Sequence, residues 1–197
     1  MEKRDLIMQA ASALFLQQSY AHTSMDTIAK HAGVSKQTVY SHFANKDELF
    51  EACIVDTCHA YRLDDARGLQ NEFAGDLLAQ LHAIASQFVA LMHDPKVINM
   101  YRVVIGEAHH SPHIAQIFFK AGPQTALDTV TDCILKQYPS CPATEANALA
   151  NDFYNLLKGG YHMQSLLGFD CRLSPSEQGK FVVRACQQFA RLLPQND

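Results

Sequence analysis

What the chain lacks narrows the possibilities first. Its 197 residues carry no proline-rich or low-complexity tract, which points to one or two compact domains rather than an extended or disordered chain. No apolar run reaches membrane-spanning length, so no membrane partner is expected. The six cysteines, Cys53, Cys58, Cys133, Cys141, Cys171 and Cys186, form no CxxC pair and no zinc-site spacing. With no secretory signal they are read as reduced thiols of a cytoplasmic protein, and no metal is expected. Lys3 and Arg4 before LIMQAASALFL imitate a short signal peptide. However, Leu6, Ile7, Ala10, Ala11, Leu14 and Phe15 recur at helical spacing, which fits an amphipathic first helix better. There is no glycine-rich phosphate loop, nucleophile–base pair or motif-spaced carboxylate pair, so neither an enzyme nor a cofactor is expected. Basic charge is not in excess either. Net charge is −4, and residues 1–50 set Lys3, Arg4, Lys30, Lys36 and Lys46 against Glu2, Asp5, Asp26, Asp47 and Glu48. Formal charge alone does not suggest nucleic acid.

What is present is concentrated between Thr23 and Phe50, in TSMDTIAKHAGVSKQTVYSHFANKDELF. Ser24 is placed to cap a helix from Met25 to about Ala32, with Asp26 in the first turn where the helix dipole favours an anion. Gly33 stops it, because glycine accepts the left-handed conformation that follows a helix end. Ser35 then caps a second helix, Lys36 to about Phe43, only two turns long. At about 100° per residue Val39 and Phe43 share one side, while Gln37 and Ser41 point away, flanked by Thr38 and Tyr40. Asn45 and Glu48 have the form of a capping box that opens a third helix with Leu49, Phe50, Cys53 and Ile54 inward. Lys46 sits at that helix start, where the dipole disfavours a cation, so an external anion such as a phosphate is its expected partner.

The spacing GVSxxxVYxHFxxK, with Phe15, Tyr20, Thr23, Ile28, Ala29, Ala32, Lys46, Leu49 and Phe50, resembles the DNA-binding domain of the TetR family of bacterial transcriptional regulators. Many relatives carry glycine before the aromatic in the turn after the first helix. Here Ser19 precedes Tyr20, so that turn is expected to be built differently. The resemblance implies an all-α fold with a helix-turn-helix domain over 1–50 and a larger helical effector-binding and dimerisation domain over 51–197. It implies a homodimer reading a roughly palindromic double-stranded DNA operator, with half-sites about 34–36 Å apart. It also implies a repressor released by a small, largely apolar effector. Gln37 suits adenine and Thr38 a thymine methyl, while Thr23, Ser24, Tyr40, His42 and Lys46 suit phosphates. Ser35, Lys36 and Ser41 complete the candidate DNA-facing set.

Beyond Asp56 the segments lengthen. Gln70 to about His93 reads as one long helix, Val97 to about His109 as the next, and Pro112 opens another that Gly122 and Pro123 break or kink before a helix over Thr125 to about Tyr138. The stretch Tyr101–Leu127 is similar to the ligand-domain pattern of the AefR-like subgroup, with its arginine, EA pair, proline and GP pair. Phe88, Met92, Met100, Tyr101, Val104, Phe118, Phe119 and Tyr154 are the candidate effector contacts, against the alternative that such a stripe is core. Phe153, Leu156, Gly160, Met163 and Leu167, then Val182, Ala185 and Phe189, follow three-four spacing on the last two helices. They are the candidate dimer interface, against the alternative that they face the chain's own core. Glu107, His110 and His113 are the cluster an enzyme reading would use as a metal or acid–base site. Ser111 and Pro112 interrupt that helix, and histidines near a helix end complement its dipole, so they are not expected to hold a metal.

Overall fold

Three small polar side chains start the helices around the central segment. In the computed structural model, which describes residues 2–73 and 75–194, Ser24 accepts the Thr27 N–H and Ser35 accepts the Thr38 N–H, each at 3.1 Å. Asn45 accepts the Glu48 N–H at 2.9 Å. They open α2 (Met25–Ala32), α3 (Lys36–His42) and α4 (Lys46–Ala60), which follow α1 (Lys3–His22). The return arm of the Asn45 box reaches one residue further than expected, the Glu48 carboxylate accepting the Ala44 N–H at 2.7 Å. Gly33 ends α2 at φ 67°, and the Val34 N–H closes on the Ala29 carbonyl at 3.0 Å.

The remaining elements are α5 (Ala66–Glu72), α6 (Leu77–Met92), α7 (Pro95–Glu107), α8 (Pro112–Phe119), a π-helical turn (Lys120–Gln124), α9 (Thr125–Gln137), α10 (Ala143–Leu166) and α11 (Pro175–Phe189). Every such element among the described residues is helical, as the all-α reading requires. One of the expected helices needs correction. The single helix from Gln70 to His93 is two, because Asp76 accepts the Ala79 N–H at 3.0 Å and gives α6 its own start. The interruption expected at Gly122 and Pro123 is a π-helical turn between α8 and α9, wide enough to accommodate the missing N–H of Pro123.

Packing groups these helices into two compact units, Met1–Thr57 with Ile98–Gly122, and Cys58–Val97 with Pro123–Asp197. This grouping is not a linear cut at residue 50, since most of α7 and all of α8 belong with the N-terminal helices. In the first unit Phe15, Tyr20 and Phe50 form a triad. Phe15 and Tyr20 stack at 5.7 Å, and Phe50 meets their rings edge-on at 5.2 and 5.5 Å. Each such buried aromatic contributes about 1.5–3 kcal/mol from area alone, and edge contacts add about 0.5–1.5 kcal/mol. In the second unit Phe153 packs on Phe189 at 5.0 Å, and Phe88 on Tyr154 at 4.7 Å.

Two helices contain a non-helical residue. Ser19, near the end of α1, has φ 66° and ψ 169°, a conformation that costs a residue with a Cβ about 1–3 kcal/mol. The turn before Tyr20 thus keeps a glycine-like backbone with a serine in it. Gly159 breaks α10 at φ 52° and ψ −170°, and a Cβ there would stand 3.1 Å from the Phe181 ring. Gly159→Ala is expected to lower stability by about 1–3 kcal/mol, seen as an earlier denaturant midpoint at unchanged slope. An unaltered midpoint would show that α10 can straighten at no cost.

Candidate nucleic-acid interface

The exposed side of α3 is set by what its other side buries. Val39 and the following Phe43 are buried in the first unit, which leaves Gln37, Ser41 and His42 exposed and Tyr40 45% exposed. Several of the polar groups already have local partners. The Ser35 and Thr38 hydroxyls lie 2.8 Å apart, as do those of Ser24 and Thr27, and the Ser41 hydroxyl donates to the Thr38 carbonyl at 2.8 Å. Lys36 pairs with Asp26 of α2 at 2.7 Å and lies 5.9 Å from the Tyr40 ring centroid. The hydrogen bond to Asp26 raises its pKa. This ion pair is fully solvated and adds little to stability. Its effect is electrostatic: it cancels one positive charge on the face that would meet DNA. The Gln37 amide, the Tyr40 hydroxyl and the His42 ring are left to make outward hydrogen bonds. Lys30, exposed near the end of α2, is a cation the sequence reading did not select; its place on the outward side of α2 was its only signal.

Two expected phosphate contacts are turned inward. Thr23 is buried, and its hydroxyl donates to the Ser19 carbonyl at 2.7 Å. Lys46 donates to the carbonyls of Tyr20 and Thr23 at 2.8 and 2.9 Å, with its ammonium 3.9 Å from the Tyr20 ring centroid. Burial lowers the Lys46 pKa, while Asp47 and Glu107 act to hold its charge. The cation at the start of α4 is therefore balanced by two carbonyls, an aromatic face and nearby carboxylates of its own chain, and needs no external anion. The Tyr20 hydroxyl donates to Asp47, whose carboxylate also lies 3.8 Å from the His113 ring.

Residues 7–53 match the description "Bacterial regulatory proteins, tetR family", and residues 79–192, more than half of the chain, match "AefR-like transcriptional repressor, C-terminal domain". The chain belongs to the TetR family. It is 46% identical over 50 residues to the HTH-type transcriptional regulator YhgD of Bacillus subtilis (strain 168), which is 25% of this chain and 26% of that relative. It is 32% identical over 87 residues to the HTH-type transcriptional regulator SrpR of Pseudomonas putida, 43% of this chain and 41% of SrpR. The chain thus spans less than half the length of these two curated relatives. Among solved structures, the flavonoid-responsive regulator FrrA superposes with a TM-score of 0.71 at 27% identity, covering 98% of each chain.

Within this TetR-family chain the candidate effector residues fall into separate groups. Phe88, Met92 and Tyr154 are buried in the second unit, where the Tyr154 hydroxyl donates to the Ala126 carbonyl at 3.0 Å. Met100 and Val104 are buried in the first unit, Tyr101 packs on Phe118 at 4.9 Å, and Phe119 is exposed. The candidate dimer seam also divides. Phe153, Val182, Ala185 and Phe189 are buried in the second unit's own core, whereas Leu156 is half-buried and Gly160, Met163 and Leu167 are exposed. For those first four the core alternative is what the structure shows.

Glu107 is buried and accepts the Ala21 N–H at 3.3 Å, while His113 meets the Tyr20 ring edge-on at 6.0 Å. Among the described residues no group of three or more His, Cys, Asp or Glu could hold a metal. Burial pushes the thiols of Cys53, Cys58 and Cys186 up to about 11, which keeps them protonated and poorly nucleophilic at neutral pH. No helix among the described residues is long and apolar enough to cross a membrane.

Lys46→Met is expected to destabilise the first unit by about 1–3 kcal/mol, because the Thr23 carbonyl loses its ammonium donor and the Tyr20 carbonyl is left with the Thr23 N–H. The salt dependence of DNA binding should keep its slope, whereas loss of a phosphate contact lowers it by about 0.9. A reduced slope at unchanged stability would return Lys46 to the DNA.

Proposed function

We propose that this chain is a repressor that binds a palindromic double-stranded DNA operator as a homodimer and is released by a small, largely apolar effector. The observation that carries this reading is α3, anchored by Val39 and Phe43 with Gln37, Tyr40, Ser41 and His42 outward. A helix of that size, held by one apolar side, can enter the major groove and present its polar side to base edges. Gln37 is assigned to an adenine, with Thr38 beside it near a thymine methyl. Tyr40, His42, Ser24 and the N-terminal end of α3 with Ser35 and Lys36 are assigned to phosphates. Ser41 is assigned to the same face.

The homodimer is assigned to the exposed part of α10. Met163 is 62% and Leu167 69% exposed on that helix, beside the exposed Gly160, which permits close approach of a second helix. The effector is assigned to the second unit, where α6 and α10 contribute Phe88, Met92 and Tyr154. An apolar small molecule fits that lining, and the flavonoid response in FrrA's description supports a small-molecule ligand in this fold. Its binding would favour a half-site separation that no longer matches consecutive grooves.

Selection of bound sequences from random duplexes is expected to return a palindrome; an unstructured set of winners would refute operator reading. On that operator Tyr40→Ala should weaken binding to every variant sequence alike. Gln37→Ala should instead relax preference at one base pair per half-site, about 1–3 kcal/mol of lost discrimination. Leu167→Glu should give a monomer in sedimentation at micromolar concentration, with a matching loss of operator affinity. A dimer that survives this change would move the interface elsewhere.

A further inference from the structure

The joint between α1 and α2 is the most strained described backbone in the first unit, and it leads through α2 into the helix assigned to DNA. Ser19 holds φ 66° and ψ 169° although it is not glycine. The peptide groups around it cannot make helical bonds, so each needs another partner. The Ser19 carbonyl accepts the Thr23 hydroxyl, and Lys46 takes the carbonyls of Tyr20 and Thr23. The Ala21 N–H goes to the Glu107 carboxylate. The Ser19 hydroxyl lies 3.2 Å from His22 Nδ1, and it acts with the Ala21 N–H to hold the Glu107 carboxyl below its ordinary range. Asn99 of the same helix donates to the Leu16 carbonyl at 3.3 Å. Glu107 is only 8% exposed, and nothing in the assignment of DNA or effector contacts uses it.

We infer that Glu107 is a positioning residue for DNA reading: from the end of α7 it latches the left-handed Ser19 joint, and so fixes the angle at which α2 and α3 leave α1. The inference rests on the regulator reading, but the latch itself does not need DNA. While Glu107 is in place, the amide of Ala21 is satisfied and the carboxylate stands beside the Ser19 hydroxyl, so the unfavourable backbone is retained. A shift of α7 that withdraws the carboxylate by the length of one hydrogen bond takes from the part-buried Ala21 amide its acceptor, beside a strained residue. The joint then relaxes toward ordinary backbone angles and α3 loses its set position. From Ile98 onward α7 belongs to the same compact unit as the joint that Glu107 latches.

The test compares the full-length chain with Ser19→Gly, Ser19→Ala, Glu107→Gln and the double variant Ser19→Gly/Glu107→Gln. Operator affinity and the amide exchange of Ala21 are both measured. Glycine removes the strain, so Ser19→Gly should bind the operator at least as tightly as the parent. Alanine keeps the strain and removes the hydroxyl, so Ser19→Ala should weaken binding about tenfold. Glu107→Gln should weaken binding about tenfold with Ser19 present, but less than about threefold in the Ser19→Gly background. With Ser19 present it should also speed Ala21 exchange at least tenfold. Equal losses from Glu107→Gln in both backgrounds, or identical behaviour of the glycine and alanine variants, would overturn the latch. If no variant, nor the parent, binds a defined duplex, exchange at Ala21 still decides the latch, and only the regulator reading falls.

Discussion

The end of α1 is held by opposite charges acting on opposite ends of the peptide group. An ammonium, that of Lys46, takes two carbonyls, and a carboxylate, that of Glu107, takes an amide. All of these backbone groups lie within four residues, Tyr20 to Thr23, where the regular helical pattern ends and only the Tyr20 carbonyl among them keeps a local donor, the Thr23 N–H at 3.2 Å. A group of this kind left unpaired where it is buried, as at Tyr20 and Thr23, costs about 1–3 kcal/mol, comparable to a sizeable part of a small domain's stability. The aromatic triad of Phe15, Tyr20 and Phe50 supplies the apolar packing of the same joint. Polar and apolar terms therefore converge on one place, and the position of α2, then of α3, follows from it.

That arrangement sets the terms on which a domain with no excess of positive charge could meet DNA in the proposed reading. Lys46 is used internally and Lys36 is matched by Asp26, so two of the five cations of residues 1–50 do not contribute free positive charge to the outer face. Attraction by net charge is then weak, and affinity has to come from directed groups: helix N-terminal N–H groups, hydroxyls, the Gln37 amide and the Tyr40 ring edge. Directed groups work only when they are held in register. Under the proposed function, a neutral DNA-facing surface therefore depends more on the rigidity of its base than a strongly basic one does, because it has no long-range field to tolerate misplacement. The commitment of two charged side chains to the joint is consistent with that need.

The features legible in the sequence were those whose cause and effect lie within one turn. Ser24, Ser35 and Asn45 cap the helices they precede, and Gly33 ends the one before it, because each acts on residues three or four positions away. Lys46 was misread for the opposite reason. Its local setting, a cation at a helix start, is unfavourable, and the groups that offset it belong to residues 23 and 26 positions earlier. Glu107 is a more extreme case, since its partner Ala21 is 86 positions away and no periodicity connects them. The histidines near it suggested a metal or acid–base cluster, although its packing instead turns it toward the α1 joint. The split of Gln70–His93 was missed because the apolar stripe runs on through the break, while the cap that starts α6 is a single aspartate.

The last two helices show why an apolar spacing does not by itself identify what covers it. In an uninterrupted helix Phe153, Gly160, Met163 and Leu167 share one stripe, and a partner that meets one meets all. The break at Gly159 removes that premise. Before it, the stripe turns Phe153 into the core against Phe189. After it, the phase is reset and Tyr161 takes the inward place, its ring 5.6 Å from Phe181 and 4.3 Å from His93. Met163 and Leu167 are carried outward. The close approach of Phe181 is what makes a Cβ at position 159 unwelcome, so the same contact that closes the core over Tyr161 requires the kink that exposes Met163. A core requirement within one chain thus generates the exposed apolar surface to which a second copy is assigned.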